Sequence, residues 1–183
     1  MSKVCVFLAD GMEEIEALTV VDICRRAEID LTTVSVTESK MVTGSHKIPV
    51  EADALLSEID FDKVDMIVLP GGMPGTLNLE ACEPLMAQVD AFDRQGKYLS
   101  AICAAPSIFG HRGMLAGRKA CSYPGFESQL EGATVTENPV EVADHFITSR
   151  GMGTAIDFSL AIVARMKGQE RADALAKAIV YKQ

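Results

Sequence analysis

Cys103 is the residue whose type and setting come nearest to nucleophilic chemistry. It stands where the apolar run Lys97 to Ile102 gives way to Ala104-Ala105-Pro106, and small neighbours at 101, 104 and 105 let the chain turn tightly enough to raise a side chain on an elbow. A helix is expected over Ala104 to Phe109. A thiolate at its start would be stabilised by unpaired N–H groups and the helix dipole, which predicts a lowered pKa and a reactive sulfur near neutrality. The competing reading is that a small thiol merely fills space in a core. Cys5, Cys24 and Cys121 lie within strands or on the apolar stripe of a helix and Cys82 begins a helix, so packing accounts for those four.

Two other segments carry groups that such a nucleophile would need. Pro70-Gly71-Gly72 follows an apolar run and could fold its N–H groups into a nest for a carboxylate, phosphate or developing oxyanion; a plain glycine turn is the alternative. No GxGxxG or GxxxxGKS/T sequence accompanies it, so nothing points to a nucleotide. Glu13, Glu14 and Glu16 form the second set. A solvated helix start is the simplest account of three acids in one turn. Whichever of them faced a pocket would be desolvated, would hold its proton longer, and could donate it to a thiolate or act as a general base. Spacing does not choose among the three.

The elements that must position these groups are short apolar runs alternating with stretches of helical period, the pattern of an α/β domain with a mainly parallel sheet and helices on both faces. Val4 to Ala9, Leu31 to Val36, Val64 to Leu69, Lys97 to Ile102, Arg118 to Ser122 and Phe146 to Thr148 read as strands. A helix from Glu13 presents Ala17, Val20, Val21, Cys24 and Ala27 as one stripe; others are expected over Pro84 to Arg94, Thr154 to Met166 and Glu170 to Tyr181, with Gly168 as a break. Ser39 to Asp53, with Gly44 and Pro49, reads as a hairpin or an excursion from the sheet. Loops leaving the carboxyl ends of parallel strands share one edge, so Asp10 to Glu16, Pro70 to Gly75 and Cys103 to Pro106 could meet in one pocket.

Composition sets the outer limits. The 183 residues, 48% of them apolar and 23% charged, suit one globular domain spanning residues 1–183 and exclude a disordered or fibrous chain. A net charge of −9 repels phosphate backbones, so nucleic acid is not expected as the main partner. The apolar stretch between Lys3 and Asp10 is too short for a signal sequence, and no run is long enough to span a bilayer; the expected location is cytoplasmic, without membrane association. Five cysteines without a CxxC pair predict free thiols rather than disulfides or a zinc ribbon.

Four segments in order give the chain a resemblance. Gly11-Met12-Glu13-Glu14-Ile15-Glu16, Val68-Leu69-Pro70-Gly71-Gly72, Ala101-Ile102-Cys103-Ala104-Ala105-Pro106 and Thr148-Ser149-Arg150-Gly151-Met152-Gly153-Thr154 together resemble the ThiJ/PfpI superfamily, and within it the parkinsonism-associated deglycase branch, nearly end to end. The resemblance implies a flavodoxin-like sandwich, usually a homodimer, with Cys103 as nucleophile and Glu16 as the protonated acid bonded to it. It implies an oxyanion site at the backbone of Gly71, Gly72 and Ala104, and neither metal nor organic cofactor. The implied activity is a cysteine-dependent conversion of small aldehydes or glycated groups, of the glyoxalase or deglycase kind, with protection against oxidative stress. A redox-sensing or chaperone-like role with an oxidisable Cys103 is the alternative, and an intracellular peptidase or thiamine-related hydrolase lies further off.

The chain also departs from the pattern. Peptidase-like members place His after the nucleophile where this chain has Ala104, which disfavours proteolysis. Tyr123 stands where the deglycase branch often has His, and His46 where alignment of the hairpin puts Arg. Both, with Arg150, are candidate pocket residues.

Overall fold

Alternation along the first strand, β1 (Lys3–Leu8), sets the architecture of the computed structural model, which describes residues 3–181. Val4, Val6 and Leu8 enter one core, Cys5 and Phe7 the other, and all five are fully buried. A strand apolar on both sides needs cover on both sides. α1 (Glu14–Arg26) supplies part of it, with acids in its first turn and Arg25 and Arg26 in its last, each sign matched to the helix dipole.

β2 (Asp30–Ser35) follows, and then β3 (Met41–Thr43) and β4 (Pro49–Glu51), an antiparallel hairpin off the main sheet, as expected for residues 39–53. β5 (Ala54–Leu55) returns to the sheet edge and β6 (Met66–Leu69) to its centre. α2 (Gly75–Glu80) and α3 (Glu83–Gln95) lead to β7 (Tyr98–Ile102) and α4 (Pro106–His111). β8 (Lys119–Ala120) and β9 (Thr134–Val135) pair with each other. β10 (Val140–Ala143) and β11 (Phe146–Ser149) complete the sheet, and α5 (Ala155–Lys167) and α6 (Gln169–Ala178) follow, parted at Gly168.

The seven-stranded sheet runs β10-β11-β7-β6-β1-β2-β5 and is parallel except for β10. α1, α5 and α6 cover the face carrying Val4 and Val6; α3 and α4 cover the face carrying Phe7. This is the α/β arrangement with a mainly parallel sheet that the alternation of runs predicts, in the flavodoxin-like form that the resemblance implies. From β1 the chain first builds outward through β2 to β5, then crosses to build outward through β6, β7 and β11. Strand order therefore reverses between β1 and β6, and the loops after β1, β6 and β7 open side by side at that switch point.

Two expectations need correction. The expected strand over Arg118 to Ser122 shrinks to two residues outside the main sheet, because β11 takes the position beside β7. The helix expected from Ala104 begins at Pro106, whose fixed φ and missing N–H suit a first turn; residues 103–105 form the elbow instead. The short α2 and the antiparallel β10 were not anticipated: six residues give too little period, and β10 follows directly on a proline. No described helix is long and apolar enough to cross a membrane.

Phe7 stacks on Phe61 with ring centroids 5.9 Å apart inside the α3 core. Phe7→Ala is expected to cost about 3–5 kcal/mol, read as a lowered urea midpoint with an unchanged slope.

Candidate active site

The turn at Cys103 is strained and clamped. Its φ is +65°, a left-handed value that a non-glycine residue holds only when its surroundings impose it, at a cost of about 1–3 kcal/mol. Two backbone hydrogen bonds impose it here. Cys103 N–H donates to the Ser149 carbonyl at 3.0 Å, and Tyr123 N–H donates to the Cys103 carbonyl at 2.8 Å. The residue is thus tied to β11 on one side and to the loop after β8 on the other, and its side chain is left half-buried while Cys5, Cys24 and Cys121 are fully buried. Ser149 carried no signal in the sequence beyond its place in a Ser/Gly/Thr-rich segment after a strand.

Burial separates the three acids that spacing left equivalent. Glu13 is the N-cap of α1 and accepts from Ile15 N–H at 3.3 Å. Glu14 turns under the β3–β4 hairpin, where it accepts from His46 N–H at 2.8 Å, and a Cβ on Gly44 would overlap its carboxylate. Glu16, only 1% exposed, points the other way: its carboxyl lies beside the Cys103 side chain, both against Gly71, and accepts from Gly71 N–H at 2.9 Å. A helix start of solvated acids is therefore not what forms, since Glu14 and Glu16 are both buried.

Glycine at 71 is a packing requirement. A Cβ there would lie 2.5 Å from Cys103 Cβ and 2.7 Å from Glu16 Oε2. The Gly71 N–H is committed to the acid, whereas the N–H groups of Gly72 and Ala104 act on the sulfur, each favouring its ionised form. Of the three backbone groups expected to hold negative charge, two face the thiol and one holds the acid.

Electrostatics correct the expectation of a thiol lowered by a helix dipole. Burial pushes Cys103 up to about 12, and the Glu16 carboxylate beside it adds to the rise. α4 starts three residues away and is only six residues long, so its dipole is no match for that. Burial likewise raises Glu16 to about 7, against the hydrogen bonds from Cys103 and Gly71. Two negative charges are costly in this space, so once Glu16 has ionised near pH 7 the pair still keeps one proton far into the alkaline range. When the proton sits on Glu16, the repulsion is gone, the carboxyl donates to sulfur, and the Gly72 and Ala104 N–H groups complete the support of a thiolate.

The remaining candidates fall at different distances from this centre. Tyr123 is half exposed, and a Cβ on Gly151 would meet its ring at 3.3 Å and Glu16 Oε1 at 4.0 Å, so Gly151 forms a wall between ring and acid. Thr154 Oγ1 donates to the Gly151 carbonyl at 2.9 Å and pairs with Ser149 Oγ at 2.7 Å, which fixes that wall. Arg150 reaches the Glu137 carbonyl at 3.5 Å, and its charge acts on Cys121. His46 sits on the hairpin with Glu13, Glu14 and Ser45 as its partners.

Comparison with known proteins agrees with this layout. The DJ-1/PfpI family matches residues 2–165. The chain is 41% identical over 172 residues to protein DJ-1 homolog B of Arabidopsis thaliana, covering 93% of this chain and 39% of that protein. It spans less than half the length of the Arabidopsis relatives, reaching 45% of homolog A. It is 32% identical over 190 residues to glutathione-independent glyoxalase DJ-1 of Schizosaccharomyces pombe, covering 98% of each. Among solved structures, oxidized Toxoplasma gondii DJ-1 matches with a TM-score of 0.95 and 34% identity over 100% of both chains.

The raised Glu16 has a signed consequence for stability. Its folded pKa of about 7 exceeds the ordinary 4.5, so the folded state holds a proton that the unfolded state has already lost between those values. Stability is expected to fall as pH rises from about 4.5 to about 7, and Glu16→Gln is expected to flatten that slope in urea unfolding measured across the same range.

Proposed function

Since the chain belongs to the DJ-1/PfpI family, we propose that it is a cysteine-dependent, cofactor-free enzyme acting on small reactive carbonyls in the manner of a glyoxalase or deglycase. The observation that carries this reading is the Cys103–Glu16 pair, a half-buried sulfur on a strained elbow beside an enclosed acid. The naming of the Schizosaccharomyces pombe relative as a glutathione-independent glyoxalase supports the same class.

The chemistry follows from the placement of the proton that the pair keeps. Thiolate sulfur adds to the aldehyde carbon of an α-oxoaldehyde, and the new alkoxide takes a proton to give a hemithioacetal. The Gly72 and Ala104 N–H groups stand beside the sulfur, where they can bind the developing oxyanion. Glu16, as carboxylate, then removes the hydrogen from the former aldehyde carbon and returns it to the neighbouring carbon, leaving a thioester. Water cleaves the thioester, the hydroxy acid departs, and the pair recovers its single proton. The net reaction adds one water to the oxoaldehyde, with no external oxidant or reductant. Because Glu16 is closed off from solvent, its proton goes to whatever is bound at Cys103 rather than to bulk water.

A homodimer is the assembly that the surface supports. Ile15 and Leu18 of α1 and Ile48 of the hairpin are exposed, and with Ile156 and Ile179 they line an apolar groove of about 690 Å³. A patch of this kind suits a protein partner, here a second copy. Residues 1–183 would act as one cytoplasmic domain, in keeping with five unpaired thiols. A second reading, oxidation sensing at Cys103, is favoured by an exposure that Cys5, Cys24 and Cys121 lack and that Cys82 shares without Glu16 beside it.

Cys103→Ser is expected to lower hydroxy-acid formation from methylglyoxal at least about a thousandfold, and Glu16→Gln about 10²–10⁴-fold. Parent-like turnover in Cys103→Ser would contradict the proposal. On the second reading, mild peroxide adds two oxygens at Cys103 by intact mass, and fails to do so in Glu16→Ala.

A further inference from the structure

The ring of Tyr123 stands beside the elbow and takes no part in the chemistry above. We propose that Tyr123 is a specificity-determining residue, an aromatic wall next to Cys103 that selects neutral α-oxoaldehydes carrying an aromatic substituent. The proposal rests on the carbonyl chemistry assigned to Cys103 and names the part of the substrate which that chemistry leaves open.

Backbone and packing fix the ring from two sides. Tyr123 N–H donates to the Cys103 carbonyl at 2.8 Å, so the side chain starts one hydrogen bond away from the reacting residue. The Tyr123 carbonyl accepts from Phe126 N–H at 3.0 Å, closing a β-turn with Pro124 and the left-handed Gly125 at its centre, a rigid mount for the residue before it. The ring then lies against Gly151. A Cβ added there would meet ring carbons Cδ2 at 3.3 Å and Cε2 at 3.7 Å, and Glu16 Oε1 at 4.0 Å. One point in space thus touches both the ring and the acid that faces the sulfur. Gly151 is itself fixed, since its N–H donates to Thr154 Oγ1 at 3.1 Å. Held along one side, Tyr123 remains 49% exposed.

A ring mounted in this way selects by contact. A second aromatic ring gains from offset stacking or edge-to-face packing on it, beyond the area it buries, whereas a methyl substituent offers a small fraction of that contact. The surroundings disfavour a charged substituent. Glu16 is the charged side chain that acts on Cys103, and it repels a carboxylate. Arg150, the cation that the sequence offered, reaches the Glu137 carbonyl at 3.5 Å and acts on Cys121. The net charge of −9 adds to the bias against carboxylate- and phosphate-bearing aldehydes. Met73 follows directly on Gly72, whose N–H acts on the sulfur, and is a second exposed apolar side chain, of the flexible kind that adapts to varied shapes. Neither Tyr123 nor Met73 lines the groove assigned to a second copy.

The test compares phenylglyoxal with methylglyoxal on the full chain, each aldehyde gaining one water to give its α-hydroxy acid. The quantity read is the ratio of kcat/KM for phenylglyoxal to that for methylglyoxal, divided by its value in the parent protein, which cancels the unequal intrinsic reactivity of the two. Tyr123→Ala is expected to lower the ratio at least about tenfold, mostly through KM. Tyr123→Leu, which keeps apolar bulk without a ring, should lower it about two- to tenfold, and Tyr123→Phe should keep it within about twofold. Equal loss of both activities in Tyr123→Ala and Tyr123→Leu, the mark of a merely structural role, would overturn the proposal; so would a ratio lost in Tyr123→Phe, which assigns the effect to the hydroxyl. Alkylation of Cys103 by phenacyl bromide against bromoacetone, followed by peptide mass spectrometry, reads the same preference without turnover and should show the same pattern. If the parent protein converts neither aldehyde, the enzymatic reading fails, and the alkylation ratio still decides this one: a ratio that Tyr123→Ala and Tyr123→Leu leave unmoved overturns it.

Discussion

Two acids that share a buried pocket cannot both lose their protons at ordinary cost, and the Cys103–Glu16 pair is built around that constraint. Each group is raised by burial; once the acid ionises near pH 7 the pair still retains one proton, and in the proposed reaction the outcome depends on which of them holds it. Gly71 keeps the acid in reach through its N–H and by lacking a side chain, while Gly72 and Ala104 favour charge on sulfur. The pocket therefore places a thiol and an acid side by side without a histidine, the pair that the proposed reaction uses as nucleophile and proton source.

Holding that contact costs backbone strain at Cys103, and the scaffold offsets it over a wide span of sequence. Ser149 and Tyr123 clamp the elbow from two directions. Gly151, fixed by Thr154, closes the wall behind Glu16. The Gly71-Gly72 loop, itself bonded to the α1 entry through Glu13 N–H to the Gly71 carbonyl at 2.8 Å, carries the acid's anchor. These segments meet because the sheet reverses its order between β1 and β6, which is the one place where loops from both halves can touch.

The fold class was legible because it rests on period: continuous apolar runs give buried parallel strands, and the stripe from Ala17 to Cys24 gives the helix that covers them. Cys103 was legible for a local reason too, since small residues around a strand end permit an elbow. What sequence could not supply was anything decided by distant packing. Glu13, Glu14 and Glu16 look alike in one turn, and only the hairpin over Glu14 and the elbow beside Glu16 separate them. The direction of the thiol's shift was misjudged for a related reason. A helix dipole is a local inference, whereas desolvation and an acidic neighbour come from residues far away in the chain. Ser149 and Gly151 act through a carbonyl and a missing side chain, neither of which marks a residue as functional in sequence.

The protonation of the pair can be observed directly by infrared difference spectroscopy of the carboxyl C=O stretch across pH 5 to 9, recorded with the ultraviolet absorbance of the thiolate. The account predicts a protonated-carboxyl band that is lost as pH rises through about 7 and is absent in Glu16→Gln, with thiolate absorbance that stays low through neutral pH and rises only in strongly alkaline solution. A carboxyl fully ionised well below pH 7, or a thiol that ionises like a free cysteine, would contradict it.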